Sequence, residues 1–157
     1  MIDRLDAKIL NIVQQNNRLT VDQLGAEVGL SPSACQRRLS RLRKDNIIRA
    51  DVAVVDPARV GRKLAMIIDV TLEKENLEWI NRFKEAMKSH PLVMQCYYIT
   101  GEKDFVLIVS MRDMAEFERF QNEYCIDSPV VSRFSTSVVV DTVKAGLSVE
   151  VVSEDEK

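Results

Sequence analysis

The chain has 157 residues, 46% of them hydrophobic and 29% charged, with a formal net charge of −2. That length fits one ordinary domain or two small ones, and the composition excludes wholesale disorder in favour of a packed core. No apolar run is long enough to span a bilayer, and the opening MIDRLDAKIL mixes acids into the stretch a secretory signal would keep apolar.

The reading is therefore a soluble, cytoplasmic protein. Cys35, Cys96 and Cys125 lie far apart, without metal-ligand spacing, and read as reduced, buried thiols. No metal site and no cofactor is expected. The charge is unevenly divided: residues 1–49 hold nine Lys/Arg and five acids, a net of +4, while the remainder holds 13 and 19, a net of −6. A basic module is thus joined to an acidic one.

In chain order, Leu5, Ile9, Ile12 and Val13 recur at helical spacing behind Asp3, an N-cap residue. Thr20 with Gln23 forms a capping-box signature for a second helix, with Val21, Leu24 and Val28 on its apolar face and Gly29 as its stop. Gly25, inside that helix, is costly unless a neighbouring helix approaches closely there. Ser31-Pro32 opens a third helix, a Ser cap followed by Pro where a missing N–H costs nothing.

Cys35, Leu39 and Leu42 make a narrow apolar stripe on this third helix, opposite Ser33, Arg37, Ser40, Arg41 and Lys44. Two helices joined by a Gly-containing turn, the second carrying Arg and Gln on its outer edge, fit a helix-turn-helix. Arg pairs bidentately with guanine and Gln with adenine, and cations neutralise phosphates. We assign Ser33, Gln36 and Arg37 to base edges, Arg38, Arg41, Arg43 and Lys44 to phosphates, and Ser31 to the start of the reading helix.

Ile48 to Asp56 alternates and predicts a strand, broken by Pro57 and Gly61; residues 50–63 read as a hinge strand and linker. Ala65–Leu72 reads as a strand, Asn76 as the cap of a helix over Leu77, Ile80, Phe83 and Met87, and Pro91 as its end. Val93–Thr100 and Phe105–Met111 read as strands around the tight loop Gly101–Asp104. Asp113 and Glu116 suggest a capping box for a helix carrying Phe117, Phe120 and Tyr124, and Val130–Val143 reads as a last strand.

The order β-α-β-β-α-β is that of ferredoxin-like folds, so the class is α+β, with helices on one face of an antiparallel sheet. The other face calls for a partner, and face-to-face homodimerisation is the simple one. The domains are 1–49, the helix-turn-helix; 50–63, the hinge; 64–145, the ferredoxin-like domain; and 146–157, an acidic tail expected to fray at its end.

Catalysis finds no support. His90 is the only histidine and has no Cys, Asp or Glu at ligand spacing, and no Gly-rich phosphate loop follows a strand. The alternative to DNA binding is a ligand-binding scaffold whose helical module contacts protein, a reading the charge asymmetry disfavours.

Three blocks, LDAKIL at Leu5–Leu10, LSPSACQRRLSRL at Leu30–Leu42 and ITGEKDFVL at Ile99–Leu107, carry a resemblance. With them the chain resembles the leucine-responsive regulatory protein/asparagine-regulator (Lrp/AsnC, feast/famine) family of transcription factors, over about residues 3–145. The resemblance implies a winged helix-turn-helix, a hinge strand and a dimerising, amino-acid-sensing domain. It also implies assembly of dimers into octamers, with the effector held between subunits.

The family's ligand region maps onto Gly101, Glu102 and Asp104 of the loop and onto Ser135, Thr136 and Ser137. Asp104 would hold an α-ammonium, with loop amides and hydroxyls on the carboxylate. The competing reading gives Gly101 a left-handed turn conformation and Asp104 a turn hydrogen bond, and nothing more. Asp45-Asn46 stands where the family often places Gly, and Asn tolerates the same left-handed geometry.

Overall fold

The computed structural model describes residues 2–73 and 77–153. The expected cap Asn76 and the acidic end of the tail, 154–157, lie outside the described residues. The chain divides into two compact units: a helical unit, which runs to Val54 and takes up the chain again from Lys144, and a sheet unit, Val55–Val143.

The helical unit contains α1 (Arg4–Val13), α2 (Val21–Val28) and α3 (Pro32–Lys44). Each start carries a cap. Asp3 and Asp6 satisfy each other's amides at α1, Thr20 and Gln23 do so at α2, and Ser31 accepts from the Ala34 amide at α3. The core joins Ile9, Leu10, Leu24, Val28, Cys35, Leu39 and Leu42. The buried stripe of α1 is centred on Asp6, Ile9 and Leu10, with Leu5, Ile12 and Val13 flanking it rather than leading it.

Gly25 is required, but not by a neighbouring helix. A Cβ there would lie 2.6 Å from the Leu30 carbonyl oxygen, in the turn that carries the chain into α3. Asn46 takes φ +59, as expected of the residue standing in for glycine after α3.

The expected strand at Ile48–Asp56 is absent. The segment forms no ladder, and Val52 and Val54 stand exposed because no second strand of the described chain lies beside it. A short 3₁₀ turn, Ala58–Val60, follows.

The sheet unit runs β1 (Leu64–Leu72), α4 (Leu77–Ser89), β2 (Val93–Tyr98), β3 (Phe105–Met111), α5 (Met114–Gln121), a π-turn (Asn122–Ile126) and β4 (Val131–Val138). All pairs are antiparallel and the strand order is β2-β3-β1-β4, the ferredoxin-like arrangement. The last strand is shorter than expected because Val139 makes the final backbone bond to β1, through Ala65, and the apolar residues Val140 and Val143 beyond it are exposed. The Asp113–Glu116 capping box is half formed: Asp113 accepts from the Glu116 amide, while the Glu116 carboxylate turns to the Arg112 amide and to Arg62.

Alternation decides the two sheet faces. Met66, Ile68, Val70 and Leu72 pack with Leu107 and Val109 under Ile80, Phe83, Met87, Phe117 and Phe120, so both helices cover one face. The register puts Ile67, Asp69 and Thr71 on the other face, beside Ile108, Val106, Ser137, Ser135 and Arg133. No helix among the described residues is long and apolar enough to cross a membrane.

Candidate functional site

In the helical unit the outer edge of α3 is exposed at Ser33, Gln36, Arg37, Arg43 and Lys44. The eight residues assigned to DNA separate by what they already hold. Ser31 is spent on the helix cap and lies 3.3 Å from the Ser33 hydroxyl. Gln36 donates to the Ser40 hydroxyl at 3.3 Å. Arg43 pairs with Asp51 at 3.0 Å, and Asp51 also accepts from Asn17. Among the described residues no ion pair engages Arg37 or Lys44, which keep their full donor capacity.

Arg38 and Arg41 are different. Arg38 donates to Asp3 at 2.6 Å and to Asp6 at 2.8 Å, and Arg41 pairs with the other oxygen of Asp6. The Asp6 side chain is 0% exposed and that of Arg38 23%. A buried carboxylate is tolerated only when paired, and here α3 supplies both cations. The Asp6 amide and then the Arg38 guanidinium hold the Asp3 carboxyl below the usual carboxylate range.

These two arginines therefore fix α3 against the start of α1 before they do anything else. The signal for this in the sequence is that Asp6 shares a helical face with Ile9, Leu10 and Val13, where an acid needs a partner.

In the sheet unit a cavity of about 270 Å³ opens on the uncovered face, lined by Asp69, Thr71, Lys103, Arg133, Phe134 and Ser135. Lys103 pairs with Asp69, and the Ser135 hydroxyl donates to the same Asp69 oxygen at 3.3 Å. The loop and β4 are thus joined through a β1 residue. Ser135 and Ser137 share this face. Thr136 points to the helix-covered side, where its hydroxyl is buried without a hydrogen-bond partner among the described residues.

Gly101 has φ +123, a conformation that favours glycine, and the Asp104 carboxylate accepts from the Leu72 amide at 2.7 Å. Gly101 thus serves the turn, Asp104 ties the end of the loop to β1, and Glu102 is exposed. The polar side chains that face the cavity are mainly ones the sequence did not single out: Asp69, Thr71, Lys103 and Arg133. Asp69 was legible as an acid interrupting the apolar alternation of β1; Arg133 carried no sequence signal, because its position depends on register.

Two family models match the chain. A winged helix-turn-helix DNA-binding domain covers residues 2–49, and the Lrp/AsnC ligand binding domain covers residues 65–149. An uncharacterised HTH-type transcriptional regulator of Sinorhizobium fredii is 47% identical over 150 residues, covering 96% of this chain and 89% of that protein. The leucine-responsive regulatory protein of Haemophilus influenzae is 30% identical over 143 residues, covering 91% and 86%.

Among solved structures, a transcriptional regulator of Neisseria meningitidis in complex with L-Met superposes with a TM-score of 0.89 at 32% identity, covering 95% of this chain and 96% of that one. Matched in both of its parts by family models and nearly end to end by these relatives, the chain belongs to the Lrp/AsnC family of transcription regulators, winged helix-turn-helix proteins with a ferredoxin-like ligand-binding domain.

Proposed function

We propose that the protein reads a specific operator with Ser33, Gln36 and Arg37, and that Arg43 and Lys44 neutralise phosphates. Arg38 and Arg41, which the sequence alone assigned to phosphates, act first by fixing α3, and Ser31 by starting it. The observation that carries this reading is the outer edge of α3, exposed and cationic, with Arg37 and Lys44 unpaired among the described residues.

Duplexes selected from a random pool by the protein test it. Arg37→Ala should cost about 1–3 kcal/mol of discrimination at one base pair. Lys44→Ala should weaken all duplexes alike and flatten the salt dependence by about one unit of slope. Arg37→Ala binding with unchanged sequence preference would overturn the base assignment. Binding with no salt dependence would favour a protein partner over DNA.

We infer further that the cluster around Asp69 receives an amino-acid effector, as the L-Met complex of the Neisseria regulator suggests. The Lys103 ammonium occupies the place that an α-ammonium would take at Asp69, and Arg133 stands ready for a carboxylate. Ser135 and Ser137 serve as hydroxyl donors. Gly101, Glu102 and Asp104 shape the loop that carries Lys103.

The uncovered sheet face, with Ile67 and Tyr97 exposed beside Val106 and Ile108, suits a homodimer, with assembly to octamers as the family resemblance implies. A thermal-shift screen of the twenty amino acids, read beside light scattering, checks both points. A ligand at a hundred times its Kd should stabilise by about 2.7 kcal/mol. A flat screen would remove the sensing proposal, and a monomer at every concentration would remove the dimer.

A further inference from the structure

The segment that follows the sheet unit returns to the helical unit and is held there in an unusual way. Val151 packs against the helical core, Val152 is half exposed, and Ser153 is buried, so the tail alternates like a strand although it joins no sheet. Its backbone is read by the side chains of Asn11, in α1, and of Gln14, which caps the C-terminus of that helix. Asn11 donates to the Val151 carbonyl at 2.9 Å and accepts from the Val151 amide at 3.0 Å. Gln14 donates to the Val149 carbonyl at 3.0 Å and accepts from the Val149 amide at 2.9 Å.

The fit follows from elementary geometry. A carboxamide carries both a donor and an acceptor, which together match the N–H and C=O of one residue. In an extended chain alternate residues present both groups to the same edge, about 6.7 Å apart. Helix residues three apart share a face but are displaced by only about 4.5 Å. The extra methylene of Gln14 over Asn11 helps to span the difference. Val149 meets Gln14 and Val151 meets Asn11, so the tail runs antiparallel to α1.

Ten residues, 139–148, separate the end of β4 from this clasp. The helical unit is therefore joined to the rest of the chain twice, once through the segment after Val54 and again through the strap that ends on α1. A reading unit on one flexible connection must be ordered anew when it meets DNA, and a second connection reduces that entropy cost.

We propose that the Asn11–Gln14 clasp is a strap that restrains the DNA-reading unit and thereby raises affinity for operators with two half-sites. The inference rests on the operator-reading dimer proposed above. Its effect falls on the second of two linked binding events, where effective concentration counts. A single half-site does not need it.

The test uses the full-length protein, the charge-neutral double variant Asn11→Ala/Gln14→Ala, and Val151→Pro, which removes a clasped N–H without touching α1. Probes are a duplex selected by the wild-type protein and the same duplex with one half-site scrambled. The double variant should lose hydrogen-exchange protection at residues 149 and 151, and Val151→Pro, which has no amide at 151, should lose it at 149; both should bind the two-site duplex about tenfold more weakly, with half-site binding unchanged.

Protection lost with two-site affinity intact would overturn the strap, leaving a tail that merely packs. Wild-type amides at 149 and 151 that exchange as freely as an open chain would overturn it as well. Equal weakening on both duplexes would mean the clasp acts on α3 itself, against the proposal. A wild-type protein that selects no duplex would instead remove the operator reading, and the strap with it, a result distinct from all of these.

Discussion

Asp6 in the helical unit and Asp69 in the sheet unit are both acids set among apolar residues, and both meet cations, yet their situations are opposite. Asp6 is fully buried and its two oxygens are taken by guanidiniums from another helix. Asp69 keeps 21% of its side chain exposed, at the rim of a cavity, and its cation comes from a loop lysine that is itself half exposed. A carboxylate with every partner fixed and no water can only hold structure together. A carboxylate whose partner is a half-exposed ammonium can exchange that partner for another of the same chemistry. Burial thus separates a structural ion pair from a receptive one where the residue type cannot.

The sharpest test of this contrast is stability. Asp6→Asn should destabilise the helical unit by about 3 kcal/mol, the low end for breaking a buried pair because both arginines keep some water. Asp69→Asn should cost the sheet unit less than about 1 kcal/mol. Trp79, the single tryptophan, packs against the sheet-unit core and reports that unit by fluorescence, while far-ultraviolet circular dichroism follows the helices of both units, so a transition seen by dichroism without a Trp79 change belongs to α1–α3. Equal losses in the two variants would erase the distinction.

Next in size is the ligand effect. Asp69→Asn should abolish the stabilisation, about 2.7 kcal/mol at a hundredfold excess over Kd, that the matching amino acid gives the wild type. Asp104→Asn should retain most of it, because Asp104 serves the Leu72 amide.

A smaller effect concerns acid. The Arg112 amide, then the Arg112 and Arg62 guanidiniums, hold the Glu116 carboxyl below its ordinary value. Its contribution is complete above the unfolded value of about pH 4.3 and is lost as pH falls through the folded one. Glu116→Gln should flatten the acid limb of the Trp79 unfolding profile.

The smallest concerns His90, set edge-on to Phe120 and Tyr124 with the Leu92 amide donating to its Nδ1. Burial pushes its pKa down. The sheet unit should therefore be at full stability above about pH 6.5 and lose stability as pH falls below it, until the folded value is passed. His90→Phe should remove that slope.

Much of the fold was legible because local chemistry announced it. Asp3, Thr20 and Ser31 mark helix starts by hydrogen bonds that span three residues, and the alternation of β1 and β3 follows from a period of two. Where the reading failed, the missing information was a partner. Ile48–Asp56 has the pattern of a strand but no neighbouring strand in the described chain, and β4 ends before Val143 because its ladder to β1 ends. On α3 the sequence did not distinguish Arg37 from Arg38, adjacent residues on different faces, because the pairing of Arg38 depends on Asp3 and Asp6, more than thirty residues away. In the sheet unit it pointed to the Gly101–Asp104 loop and to Ser135–Ser137, while the cavity there is lined mainly by other residues, among them Asp69, Lys103 and Arg133, which register and turn geometry bring together.

The sequence by itself determined the cationic helix, the caps, the β-α-β-β-α-β order and the family, since each depends on residue types within a few positions or on whole blocks of matching text. Tertiary structure alone decided which charges are consumed and which remain available: the Asp6 clamp, the Asp69 cluster and the hold of Asn11 and Gln14 on the tail. Ion pairs and hydrogen bonds depend on distance in space, and only the folded chain brings residues 6 and 41, 69 and 103, or 11 and 151 within reach of each other.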